Sequence, residues 1–269
     1  MTDSFYTLPT HNSYVGDPSL TRYHSSQLDY DVFGASVTRN AIPEQMGFAG
    51  KVMLIVLGQL VTTLCFTVIL QYIQLTWQGL SVLTWWIPLI PCGLAAILII
   101  WQLWAFYFQL VVPARIILLC LFSCLSSFIV GEIVVTFCYD EGVLLMNLIG
   151  SGILAFCCYT LQHKFKFSGP TPWFFGMAAI CLSSSGLRLW FDLDALEILA
   201  PIGLAGLICT YVLLDLYYIM DNTSAEDVIL ANACLYVDLL YPMRGLHNLC
   251  ELSDNLNMLD ILYPGPPHG

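Results

Sequence analysis

TWWIPLIPCGLAAILIIWQLWAFYFQL, residues 84–110, runs for its whole length without one charged side chain. A helix needs about 20 apolar residues to cross the ~30 Å hydrocarbon layer of a bilayer, so this stretch predicts a transmembrane helix. Working outward, the same pattern recurs over residues 50–74, 115–138, 143–161, 172–190, 197–220 and 228–250. The runs do not alternate apolar with polar positions, as the short strands of a membrane barrel would. Their joints carry turn and charge signals: Thr76 through Gly79, Val112 through Arg115, Tyr139 through Gly142, His163 through Pro172, Phe191 through Asp194 and Asp221 through Asp227.

The predicted fold is therefore an all-α integral membrane protein, a bundle of seven transmembrane helices. Bulk composition agrees. Of 269 residues 58% are hydrophobic and 10% charged, with a mean hydropathy of +0.76. A soluble domain carries about 25% charged residues to wet its surface. Eight Lys and Arg in all leave no basic stripe for nucleic acid. Nine cysteines (65, 92, 120, 124, 157, 158, 181, 209 and 234) fall inside apolar runs, where they read as small reduced side chains rather than a disulfide framework. No nucleotide or phosphate motif and no Cys/His zinc spacing occurs, so neither a cofactor nor catalysis is expected.

Residues 1–46 are polar and punctuated by Pro9, Gly16, Pro18 and Pro43, and read as a disordered tail. Within them Tyr30-Asp31-Val32-Phe33 fits the tyrosine-x-x-bulky pattern read by membrane-sorting adaptors. Residues 47–250 form the membrane domain, and 251–269, ending Pro-Pro-His-Gly, read as a second disordered tail. A cytosolic N-terminus places Arg22, Arg39, Lys51, Arg115, Lys164 and Lys166 on the cytosolic side, leaving Arg188 and Arg244 opposite, which satisfies the positive-inside bias. That orientation hides the Asn222-Thr223-Ser224 glycosylation sequon from the glycosylating enzymes. Tryptophans 77, 85, 86, 173 and 190 lie near run ends, where amphipathic rings favour the interface.

Ionisable groups deep in a membrane helix cost about 2.5–3.5 kcal/mol on insertion scales and mark function or a bundle interior. Glu132, late in the third run, reads equally as an interfacial acid or a functional one. Asp215 and Asp238 lie on consecutive helices joined by a short turn, at depths that differ by about 7 Å at 1.5 Å per residue. They can approach each other. Two buried carboxylates cannot comfortably hold two charges, so such a pair shares a proton and forms a pH-sensitive latch, or a cation site once the protons leave. The other reading is two unrelated acids, each hydrogen-bonded locally. Arg244 and His247 share a helix with Asp238, and Pro242 between them predicts a kink.

Several ordered blocks now carry a resemblance. They are Gly50-Lys51-Val52 with Gln59-Leu60-Val61-Thr62-Thr63; Pro113 with Leu121-Phe122-Ser123; Gln162 through Phe167; and Tyr211-Val212-Leu213-Leu214-Asp215, Glu226-Asp227 and Leu235-Tyr236-Val237-Asp238. Over residues 47–250 they resemble the Bax inhibitor motif, or lifeguard, family of membrane proteins. The resemblance implies seven helices with a central last one, and paired aspartates at Asp215 and Asp238 that sense pH and control a calcium leak. It also implies endoplasmic reticulum, Golgi or related membranes and opposition to cell death. The flanks depart from the family: Leu216-Tyr217 follow the first aspartate, Leu239-Leu240-Tyr241-Pro242 the second, and the second helix has no arginine. Such divergence resembles the copies carried by large DNA viruses, including cytomegaloviruses.

Two functions are therefore expected as alternatives. One is a proton-gated calcium or cation leak, with Asp215 and Asp238 as latch and transient calcium site and Glu132 and Arg244 as accessories. The other is a non-conducting regulator in the lipid bilayer that engages other membrane proteins and redirects them, host proteins or immune ligands included. Removing residues 1–46 is expected to abolish the second activity and spare the first.

Overall fold

The computed structural model describes residues 37–76, 86–162, 164, 165, 167, 169–194 and 196–240. Among them the regular elements are all helical: a 3-10 turn at Val37–Arg39, then α1 (Ile42–Thr76), α2 (Trp86–Ala105), a second 3-10 turn at Tyr107–Gln109, α3 (Val112–Phe137), α4 (Tyr139–Tyr159), α5 (Thr171–Phe191), α6 (Leu199–Asn222) and α7 (Val228–Leu240). Six of these, α1 to α6, are long and apolar enough to cross a membrane. The described part of α7 is 13 residues. Its expected continuation to residue 250, with Pro242, Arg244 and His247, lies outside the described residues, as do Tyr30, Phe33 and the tail from 251.

The helices point their apolar side chains outward as well as inward. Leu98, Leu182, Leu189 and Trp190 are among many large hydrophobics left exposed, a surface suited to hydrocarbon rather than water. Burial instead marks helix–helix seams. α1 packs on α3 and α4, α4 on α5 and α6, and α7 against α1, α2, α3 and α6. From Leu230 through Leu235 every side chain of α7 is buried, and a helix buried all round sits inside a bundle. Small residues permit the closest approach: a Cβ on Gly152 of α4 would stand 2.7 Å from Cys209 Sγ of α6 and 3.1 Å from Ile180 of α5.

Two bounds differ from the sequence reading. α1 starts at Ile42, and residues 37–46, read as the end of a disordered tail, are folded: Val37, Met46 and Gln45 are buried, and Gln45 Nε2 donates to the carbonyls of Thr38 (2.8 Å) and Asn40 (2.9 Å). Pro43 marks no break because proline is tolerated in a first helical turn. The second run ends early, at Ala105, where the chain turns so that Tyr107 packs inward beneath Arg115. The ten described cysteines are all free.

Candidate functional site

Asp215 and Asp238 are both fully buried. Asp215 lies in α6 among buried Leu213, Leu216 and Ile219, and Asp238 lies in α7, the next helix along the chain and one that packs on α6. Counting from the loop that joins them, Asp215 is seven residues from the end of α6 and Asp238 ten residues into α7. At 1.5 Å per residue their depths differ by about 5 Å. Glu132 is half-buried, five residues before the end of α3, toward the opposite end of the bundle from the α6–α7 loop. Among the described residues no group of three or more His, Cys, Asp or Glu side chains converges to hold a metal. A resident calcium takes six to eight oxygens, so two carboxylates suit only a passing cation.

A polar seam that sequence reasoning did not isolate joins α1 to α3 and reaches α7, the helix of Asp238. On α1, Gln59, Thr63 and Thr67 follow at four-residue steps, and on α3 so do Ser123, Ser127 and Gly131. Gln59 Nε2 donates to Ser123 Oγ (2.8 Å), Thr63 Oγ1 and Ser127 Oγ meet at 3.0 Å, and Gly131 lies so close to Thr67 that a Cβ there would reach its backbone nitrogen at 3.2 Å. The constant offset of 64 residues means that α1 and α3 run parallel. Four-residue steps keep each partner on one face of its helix.

Gln59 also binds α7. Its Nε2 donates to Asn232 Oδ1 at 3.1 Å, and Tyr236 Oη donates to its Oε1 at 2.8 Å. One serine fixes this polarity. Ser123 spends its only proton on the carbonyl of Leu119 (2.7 Å), so its oxygen must accept from Gln59, which turns the amide carbonyl toward Tyr236. Among the described residues Asn232 Nδ2 finds no acceptor, although the side chain is fully buried. An apolar crevice of about 370 Å³ adjoins the hub, lined by Val56, Ile149, Leu207, Tyr211 and Tyr236 among others.

One end of the bundle gathers the α1, α3, α5 and α7 starts with the α2, α4 and α6 ends. Contacts between segments tie it together: Val37 N–H donates to the carbonyl of Thr223 (3.2 Å), Thr38 Oγ1 to Asp221 Oδ1 (2.9 Å) and Tyr217 Oη to the carbonyl of Gly169 (2.9 Å). Tyr107 lies within range of the Asp227 charge, while the Arg115 guanidinium lies 4.0 Å above its ring and donates from Nε to the Leu110 carbonyl. Burial, and then the Asp227 charge, push the Tyr107 hydroxyl above its ordinary pKa of 10.0, against the opposing pull of Arg115. Arg115 and Lys164 lie at this end. Arg188 lies at the other, donating to the carbonyl of Leu193 where α5 closes.

Comparison with known proteins accords with this architecture. The family described as "Inhibitor of apoptosis-promoting Bax1" matches residues 45–249. The "Golgi anti-apoptotic protein" of Vaccinia virus (strain Lister) is 27% identical over 242 residues, covering 88% of this chain and 98% of its own. "Protein lifeguard 4" of Mus musculus is 33% identical over 132 residues, 48% of this chain and 54% of its own. A "BI1-like protein" of Arabidopsis thaliana is 26% identical over 151 residues, 53% and 57% of the respective chains. No solved structure matches. With a family match that spans the membrane helices, and both a viral and cellular relatives, the chain belongs to the Bax inhibitor family.

Proposed function

We propose that this chain is a multi-pass regulator of cell death in endoplasmic reticulum, Golgi or related membranes. It works as a seven-helix bundle around α7 that lets calcium or other cations leak under the control of pH. The observation that carries this reading is the complete burial of Asp215 and Asp238 on two packed, consecutive helices of an apolar bundle. In a low-dielectric interior the pair holds a shared proton when closed; loss of that proton leaves two like charges, which repel and attract a cation. Ions move passively, and calcium is cargo rather than a resident ligand. Arg115 and Lys164, at the end where α1 begins, support a cytosolic N-terminus. The vaccinia relative, a Golgi anti-apoptotic protein by name, supports both the compartment and the anti-apoptotic role. Calcium efflux from proteoliposomes, with Asp215→Asn and Asp238→Asn as controls, tests the proposal.

The match to 98% of a vaccinia protein favours a second reading as well. Here the chain is itself of viral origin and acts without conducting, redirecting host membrane proteins or immune ligands through its helices and the Tyr30–Phe33 sorting pattern. Loss of that redirection on Tyr30→Ala, in a protein that does not leak, would select this reading.

A further inference from the structure

The loop from Asp221 to Asp227 joins the two helices that carry Asp215 and Asp238, so whatever holds the loop also limits how those helices move against each other. A segment from the far end of the sequence holds it. Val37 N–H donates to the carbonyl of Thr223 at 3.2 Å, and Thr38 Oγ1 donates to Asp221 Oδ1 at 2.9 Å. Val37 is fully buried and belongs to the same apolar core as Ile219, Met220 and Leu230 on either side of the loop. The turn that presents these two residues is fixed in its own right, because Gln45, itself buried, donates to the carbonyls of Thr38 and Asn40 and locks the turn to the first rungs of α1. The loop is also shaped from within: Ser224 Oγ donates to Asp227 Oδ2 at 2.6 Å, and the Asp227 N–H to the Ser224 carbonyl at 3.2 Å. The loop therefore meets the N-terminal turn as a formed surface.

We infer that the N-terminal turn at Val37–Arg39 is an intramolecular clasp on the aspartate-bearing hairpin. Seated, it holds α6 and α7 together at their joined ends. Released, it frees them to move. Whatever displaces the turn therefore loosens the latch. Each clasp contact is a single neutral or one-charge hydrogen bond at the edge of the bundle, of the modest strength a switch needs. The consequence for cation flux rests on the leak reading above; the mechanical coupling does not.

The test uses the full chain in lipid nanodiscs with Val37→Pro combined with Thr38→Val. Proline removes the Val37 N–H at a position whose helical φ it tolerates, and valine keeps the shape of Thr38 without its donor. Amide hydrogen exchange is followed over residues 216–230, with residues 144–156 of α4 as an internal reference. The clasp predicts exchange about five- to tenfold faster around the loop, as loss of a hydrogen bond's net contribution implies, with the reference unchanged. Unchanged exchange around the loop in the double variant overturns the clasp. Asp221→Ala, which removes the acceptor for Thr38, is expected to speed exchange around the loop in the same direction, and unchanged exchange there would equally overturn the assigned contact. In proteoliposomes the double variant is expected to leak several-fold faster than wild type. A wild type that leaks at the same rate as the double variant overturns the clasp as a regulator, whereas a wild type that never leaks overturns the leak reading and leaves the exchange result to decide the clasp.

Discussion

Gln59 of α1 meets Asn232 of α7 at 3.1 Å inside a polar hub that also takes in Ser123 of α3 and Tyr236 of α7. Three helices far apart in the chain are thereby registered against one another by a single side-chain amide. In hydrocarbon there is no hydrophobic force to bring helices together, and packing with a few such bonds supplies the specificity.

Gln59→Leu removes the hub while filling much of its space. Half-buried Tyr236 and fully buried Asn232 then lose partners, at a cost of about 1–3 kcal/mol in fold stability. Ser123→Ala breaks one interhelical bond, to Gln59, along with the serine's own bond to the Leu119 carbonyl within α3, and a single interhelical bond in a membrane protein averages about 0.6 kcal/mol. Unfolding of the purified protein in mixed micelles should rank the variants in that order. Equal stability of Gln59→Leu and wild type would remove the hub from the account.

The seven apolar runs were legible because a membrane crossing imposes one length and one composition; each contains a helix, and the six long enough to cross have centres that agree with the reading. Their ends were less legible. Residues 42–49 carry Pro43, Glu44 and Gln45, which look like tail, yet Gln45 spends its amide on the preceding turn and Met46 and Phe48 face the core. Burial of Asp215 and Asp238 followed from their positions in apolar runs. The polar seam did not stand out, because glutamine, serine and threonine in a transmembrane run carry no charge to flag them. Its signal was the matched four-residue spacing of Gln59-Thr63-Thr67 and Ser123-Ser127-Gly131, which becomes a pattern only once α1 and α3 are known to pack in parallel.

Gly152 lets α4 approach the helix that carries Asp215, since a side chain there would press on Cys209 and Ile180 at 2.7 and 3.1 Å. Gly152→Val is expected to destabilise the bundle by about 1–3 kcal/mol, the usual cost of overpacking. Gly203, which has nothing within 4 Å of a Cβ, is the control, and Gly203→Ala should melt at or above the wild-type temperature. A Gly152→Val protein as stable as wild type would mean that α4 and α6 stand further apart than described.

Tyr107, in the α2–α3 connector, senses the charge of Asp227 in the α6–α7 loop. Burial first, and the Asp227 charge second, raise its pKa, so its contribution to stability is complete below pH 10.0, the ordinary value, and is lost as pH climbs through the raised one. In melting curves the stability gap between wild type and Tyr107→Phe should therefore be full at pH 8 and narrow as pH rises above 10.0. A constant gap between the two across this range would show that the hydroxyl is not the titrating contact.

The central claim is that Asp215 and Asp238 gate a cation path, and calcium efflux from proteoliposomes between pH 5.5 and 8 tests it most directly. Purified wild type, Asp215→Asn and Asp238→Asn are compared at equal incorporation, with folding checked by melting. A leak that changes with pH in wild type, and whose pH dependence either substitution flattens, is the predicted result. Folded wild-type protein that releases no more calcium than empty liposomes at every pH would contradict the account and leave the chain a non-conducting membrane regulator.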